Sequence, residues 1–204
     1  MWKALTVLGG AGALTWWALR GPKTFRAPPT GFWYKAVEQF GGRPIDPQFY
    51  PPTLIGLDRY LSDARVRSPF TANEIAAPNH PNIALDLGYR NFLPVRENWP
   101  KVAALMGLSR QIRDVTQESF DLRNLWRPED YNARVDGAPG SAHIEAAAVD
   151  LDFETEDDAT RAELLATALQ RREPWMKVGI GIGRKTLHVD LLTDKPQRPN
   201  TWRY

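Results

Sequence analysis

The chain has no cysteine, only three histidines and almost no net charge, and each shortage narrows what it can do. Without cysteine there are no disulfides and no thiolate metal sites, so any metal must be held by nitrogen and oxygen ligands. The formal net charge is +2, and the basic excess falls within the first 60 residues; over residues 61–204 the acids slightly outnumber Lys and Arg. That distribution argues against a nucleic-acid binder, which needs a basic stripe on the body itself. There is also no internal repeat and no low-complexity segment. What remains is a globular composition, 43% hydrophobic and 25% charged over 204 residues, enough for one domain of ordinary size with an extension.

The N-terminus carries the longest uncharged run, sixteen residues between Lys3 and Arg20 that read ALTVLGGAGALTWWAL. This is long for a signal-peptide core and slightly short of the ~20 residues of a bilayer-spanning helix. Trp16 and Trp17 sit near one end, where amphipathic rings favour the headgroup level. No convincing small-x-small cleavage site follows. The first expectation is therefore an uncleaved membrane anchor over residues 1–22, with a cleaved signal or a buried helix as alternatives. Arg20, Lys23 and Arg26 follow the run while only Lys3 and the amino terminus precede it, which by the positive-inside rule would keep the body in the cytoplasm.

Residues 23–65 are rich in proline and aromatics (GPKTFRAPPT, GFWYKAVEQF, RPIDPQFYPPT). Proline fixes φ and removes a donor, so the expectation is a tether with one short helix around Tyr34 to Phe40, and a compact body starting near Ser68. PKVAALMGLSRQIRDV, from Pro100 to Val115, spaces apolar residues at helical period behind a first-turn proline. A second helix is expected over residues 157–172, with acids leading and arginines closing, buried through Leu164, Leu165, Ala168 and Leu169. WMKVGIGIG (175–183) and TLHVDLLT (186–193), separated by Arg184 and Lys185, read as a β-hairpin. Alternation then sets Leu187, Val189 and Leu191 on one face and Thr186, His188 and Asp190 on the other. The fold class expected is α+β, a small antiparallel sheet with flanking helices.

His143 and Asp150, in GSAHIEAAAVD, are candidate ligands of one metal ion. Across seven residues the Cα atoms lie ~23 Å apart in a strand and ~10 Å apart in a helix, both too far for side chains whose heads must meet at a metal. The segment must fold back on itself, or the two are not a pair. His188 on the hairpin is available as a third ligand, which would leave a fourth position open, as in catalytic zinc. His80, in APNHPN, lies in a loop between prolines and reads as a surface residue.

SAHIEAAAVD (141–150) resembles the S-x-H-x-x-G-x-A-x-D motif of the zinc D-alanyl-D-alanine carboxypeptidases, whose wider fold superfamily includes the hedgehog signalling domain. HVD (188–190), preceded by GIGIG and followed by Trp202, resembles that family's second motif. WRPEDYNARVDGAPGSAH (126–143) is similar to its G-Y-R-S-P-x-Y-N-x-x-V-G-G-A-P-x-S-x-H run, and SPFTANEI (68–75) to the start of the peptidoglycan-peptidase branch. The resemblance covers residues 66–204 in the right order and implies a zinc peptidase-like domain there. It implies zinc held by His143, Asp150 and His188, Arg127 facing the substrate to stabilise the oxyanion, and Ser141 supporting the site by hydrogen bonding. It implies hydrolysis of a peptide bond next to D-alanine in peptidoglycan, by a carboxypeptidase or an endopeptidase, including a phage lysis enzyme. Such a substrate lies outside the inner membrane, so the body is expected in the periplasm, anchored by its N-terminal helix, or secreted.

The chain departs from the family at telling positions. Ala146 replaces the motif glycine, so any backbone there needing positive φ would be strained. Leu125 and Trp126 stand where the family has glycine and tyrosine. Well-studied members place a glutamate or histidine two or three positions before the last ligand as general base, and here Lys185 and Thr186 occupy those places; neither can take a proton from water at neutral pH. Asp190 is the nearest alternative, either as base or as the group that orients His188. A non-catalytic, zinc-stabilised or metal-free module that binds cell-wall peptides or a protein is the rival expectation.

Overall fold

The computed structural model describes residues 31–160, 162–163, 167, 178–191 and 201–203. Helices α1 (Phe32–Gln39), α2 (Leu54–Asp63), α3 (Ala72–Ile75), α4 (Pro81–Asp86) and α5 (Trp99–Thr116) come first. They are followed by β1 (Phe120–Asn124), α6 (Glu129–Arg134), β2 (Ala148–Phe153), β3 (Gly179–Ile182), β4 (Thr186–Asp190) and β5 (Thr201–Arg203). The result is a mixed α+β body with one five-stranded sheet, ordered β1-β2-β4-β3-β5. Its first four strands pair antiparallel as expected, but β5 joins β3 in parallel.

Local chemistry sets the helix starts. The Thr53 hydroxyl accepts from Gly56 N–H at 3.0 Å, and Thr71 and Glu74 form a reciprocal capping box at the head of α3. Pro100 sits in the first turn of α5, where its missing donor costs nothing, and Gln117 in left-handed conformation (φ 60°) ends that helix. The helix expected over 100–115 thus gains one residue at each end.

The largest correction concerns residues 23–65. Instead of a tether, much of this segment is core: Ala36, Val37, Leu57 and Tyr60 are essentially inaccessible and belong to the same apolar cluster as Trp99, Leu105, Val149 and Leu187. The Tyr60 and Trp99 rings lie 5.5 Å apart, and Arg96 Nη1 donates to the carbonyls of Gln48 and Tyr50. Proline here fixes corners between short helices that each bury one face, so proline content was a poor guide to detachment. The compact body therefore begins before Ser68.

The hairpin forms with the expected faces: Leu187, Val189 and Leu191 enter the core, and Thr186, His188 and Asp190 share the opposite side. That opposite side is itself buried, His188 at 9% and Asp190 at 3% exposure. Residues 156–160 are helical as expected, while Leu164, Leu165, Ala168 and Leu169 lie outside the described residues, as do residues 1–22 of the expected anchor. No helix among the described residues is long and apolar enough to cross a membrane.

Candidate metal centre

The chain does fold back between His143 and Asp150. Residues 141–147 make a single helix-like turn closed by two bonds, Ala147 N–H to Ala142 O at 2.9 Å and Ala146 N–H to His143 O at 3.1 Å. This nested pair is the Schellman pattern, whose penultimate residue takes the left-handed conformation normally given to glycine. Ala146 is that residue, at φ 54° and fully buried. The strain anticipated from replacing the motif glycine is therefore present, on the order of 1 kcal/mol for a non-glycine residue in this region.

The reversal hangs His143 over β2, where Asp150 lies directly across the ladder from His188 of β4. Ligand-type atoms of His143, Asp150 and His188 lie within 4.8 Å of one another. His143 Nε2 is 3.1 Å from Asp150 Oδ2 and 3.2 Å from His188 Nδ1, and His188 Nδ1 is 2.7 Å from Asp150 Oδ1. The neighbours fix the ring protons. His143 Nδ1 is 2.8 Å from Leu125 O, a carbonyl that can only accept, so Nδ1 carries the proton and Nε2 presents a lone pair. His188 lies between two acceptors, with Nε2 3.3 Å from Asp190 Oδ2 and Nδ1 2.7 Å from Asp150 Oδ1, so both ring nitrogens donate in the metal-free protein and Nδ1 presents a lone pair to the cluster only once its proton is lost.

One nitrogen lone pair, a carboxylate and the Nδ1–H of His188 therefore converge, and in the metal-free protein that proton bridges His188 and Asp150. Burial alone would lower the His188 pKa, but its hydrogen bonds to Asp150 and Asp190 and their charges outweigh burial and push it up to about 9. Burial keeps His143 below its ordinary value, and although burial would raise Asp150, the charges and hydrogen bonds of the two imidazoles hold it well below the usual carboxylate range. A divalent metal would replace the proton on His188 Nδ1. The buried group His143, Asp150 and His188 can hold a metal ion, and its two-nitrogen, one-carboxylate donor set suits zinc or a similar divalent ion.

The supporting residues follow from the same turn. Arg127 N–H donates to His143 O at 3.1 Å, Trp126 Nε1 donates to Ile144 O at 3.0 Å, and the Ser141 hydroxyl accepts from Arg127 Nη2 and from His143 N–H, both at 3.4 Å. Trp126, one of the departures from the family pattern, thus fastens the reversal through its indole. On the far side of His188, a Cβ on Gly179 would come within 2.4 Å of Asp190 Oδ2, and one on Gly181 within 2.8 Å of the Trp202 ring. Glycine at these two places lets Asp190 reach His188 and lets Trp202 lie 5.3 Å from the His188 ring.

The centre opens into a cavity of about 680 Å³ whose wall includes Arg123, Asn124, Arg127, Thr186, His80 and Trp202. Asp190 is not part of that wall; it is buried behind His188. At the positions where the family places its base, Lys185 Nζ donates to Glu154 O at 2.6 Å and the Thr186 hydroxyl donates to Asp152 Oδ1 at 2.6 Å. His80, expected as a surface residue unrelated to the site, is exposed but lines the cavity, its N–H held by the Tyr131 hydroxyl at 3.0 Å. Arg123, Asn124 and His80 carried no sequence signal: β1 was not anticipated, and a loop histidine between prolines gives no hint of what it faces. Comparison with family models, curated proteins and solved structures returns no match for this chain.

Proposed function

We propose that this chain is a zinc-dependent peptidase of the hedgehog/DD-peptidase fold that hydrolyses a peptide bond next to D-alanine in peptidoglycan. The observation that carries the proposal is the convergence of His143 Nε2, His188 Nδ1 and the Asp150 carboxylate, with His143 held from behind by the Leu125 carbonyl and His188 by Asp190. Zinc in such a set supplies Lewis acidity and a water acidified to a pKa near ~7. The protein's own groups do the rest. Arg127, on the cavity wall and steadied by Ser141, offers its guanidinium to the oxyanion that develops on the attacked carbonyl. Asp190 accepts a hydrogen bond from His188 Nε2–H and positions the ring, a role its burial behind His188 favours over that of base. Because peptidoglycan lies outside the inner membrane, the proposal includes a body on the periplasmic side, tethered by the apolar N-terminal run, or secreted.

One observation favours a second reading, a non-catalytic metal-holding module that binds cell-wall peptides: Lys185 and Thr186 are committed to neighbours and neither is a base. The test uses the full chain, since residues well before Ser68 belong to the core. Metal content and cleavage of muropeptides are measured for the wild type, His143→Ala and Asp190→Ala. Bound zinc with cleavage that disappears in His143→Ala supports the peptidase. Bound zinc without cleavage of any cross-linked or uncross-linked peptide supports the module, and a wild type that takes up no metal overturns both.

A further inference from the structure

The pairing of β1 with β2 contains one irregularity. Phe120 faces Phe153, Asp121 faces Asp152 and Leu122 faces Leu151, but the next pair is Asn124 with Asp150. Arg123 is the extra residue of a β-bulge, a device that re-aims side chains beside active sites. Phe120 lies among the core residues with Phe153 and Leu151, with Leu122 packed against them. Unbroken alternation would send Arg123 to the site face and turn Asn124 into the core. The bulge keeps both on the wall of the cavity, and Leu125 takes the next core place at 2% exposure.

The centre accounts for Asn124, whose amide donates to Asp150 Oδ2 at 3.3 Å. It does not account for Arg123. The Arg123 Nη1 lies 3.4 Å from Thr186 Oγ1 and 3.7 Å from Asp152 Oδ1, which steady the side chain while leaving it 41% exposed at the cavity. Both contacts use one terminal nitrogen of a group with five N–H donors arranged to meet a carboxylate bidentately. Thr186 precedes His188 by two residues on the same strand face, a step of ~7 Å. A carbonyl attacked at the centre and the carboxylate of the next residue are one residue unit apart, ~4 Å, and hydrogen-bond reach covers the remainder.

We propose that Arg123 is a specificity-determining residue that takes the free α-carboxylate of the substrate's C-terminal residue, so that the site removes one terminal residue in preference to cutting within a cross-link. An internal bond would present a neutral amide there and leave the guanidinium without its anion. The assignment rests on the peptidase reading above and goes beyond it in choosing carboxypeptidase over endopeptidase.

The test uses zinc-loaded full chain with N,N′-diacetyl-L-lysyl-D-alanyl-D-alanine as the free acid and as the C-terminal amide. Wild type is expected to prefer the acid. In Arg123→Gln the KM for the acid should rise about 10- to 100-fold, the loss of a charge-assisted contact, with kcat changed only a few-fold, so that the acid-to-amide preference collapses toward one. Arg123→Lys should recover part of it. Equal losses on acid and amide, or a wild type without preference, overturn the assignment while leaving a peptidase in place. If wild type turns over neither peptide, the peptidase reading falls, and calorimetric binding of the same two peptides decides Arg123: acid bound above amide, with the difference lost in Arg123→Gln, upholds it, and equal binding overturns it. Unchanged zinc content and circular dichroism confirm that the variants fold.

Discussion

Two residues on one face of β4, Thr186 and His188, line the same cavity and have opposite surroundings. His188 belongs to the group that can hold a metal ion and is backed by Asp190, and two glycines on β3 make room for its neighbours. Where the family resemblance places a base, Thr186 is bound into a network with Asp152 and Arg123 and Lys185 is tied to a backbone carbonyl. Holding a metal requires a few atoms brought within ångströms of one another. Moving a proton requires a group of the right pKa facing the substrate, and a strand can keep the first property while exchanging the second for recognition.

The sharpest way to break the comparison is at the candidate ligands. His143→Ala or Asp150→Ala should abolish stoichiometric metal uptake, measured by elemental analysis after mild purification; retained metal would mean the ligands lie elsewhere. Next in size is the reversal that presents His143. Ala146→Val puts a β-branched residue at positive φ in a fully buried place and should cost about 3 kcal/mol or more in denaturant unfolding. Ala146→Gly relieves the strain but loses a buried methyl and gains entropy in the unfolded chain, terms of about 1 kcal/mol each, so it should destabilise by only about 1 kcal/mol.

Asp190→Asn separates positioning from proton transfer. If Asp190 orients His188, zinc affinity should fall about 10-fold or more, and activity at saturating zinc should largely return. If kcat collapses with zinc fully bound, Asp190 is the base after all. A last expectation is a pH dependence of the metal-free protein. The His188 pKa is raised from 6.5 in the unfolded chain to about 9 in the folded one, so its contribution is fully present below pH 6.5 and is lost as pH rises through 9. Zinc binding at pH 7 should accordingly release a proton from His188, detectable as a dependence of binding enthalpy on buffer ionisation.

The sheet hairpin and the long helix α5 were legible because each carries one clear period over enough residues to bury a face. The ligand set was legible only through its motifs; the spacing of His143 and Asp150 left a pair and a mere turn equally open. What decided the matter was the left-handed turn at Ala146, and an alanine there hides the signal that a glycine would have displayed. Over residues 23–65 the proline content hides the core, because short helices such as α2 place Leu57, Tyr60 and Leu61 inward between proline corners. Arg123 was invisible since a bulge is a property of two strands together and leaves no trace in either sequence alone.

Trp202, on β5, rests against the ring of His188 over a glycine of β3, and His188 in turn meets a histidine 45 residues earlier. During synthesis His143 and Asp150 are made before β3, β4 and β5. The centre therefore cannot be completed before β4 is made, so a ribosome-bound chain stalled before His188 should expose Asp150 and His143 to solvent and bind zinc no better than a flexible peptide.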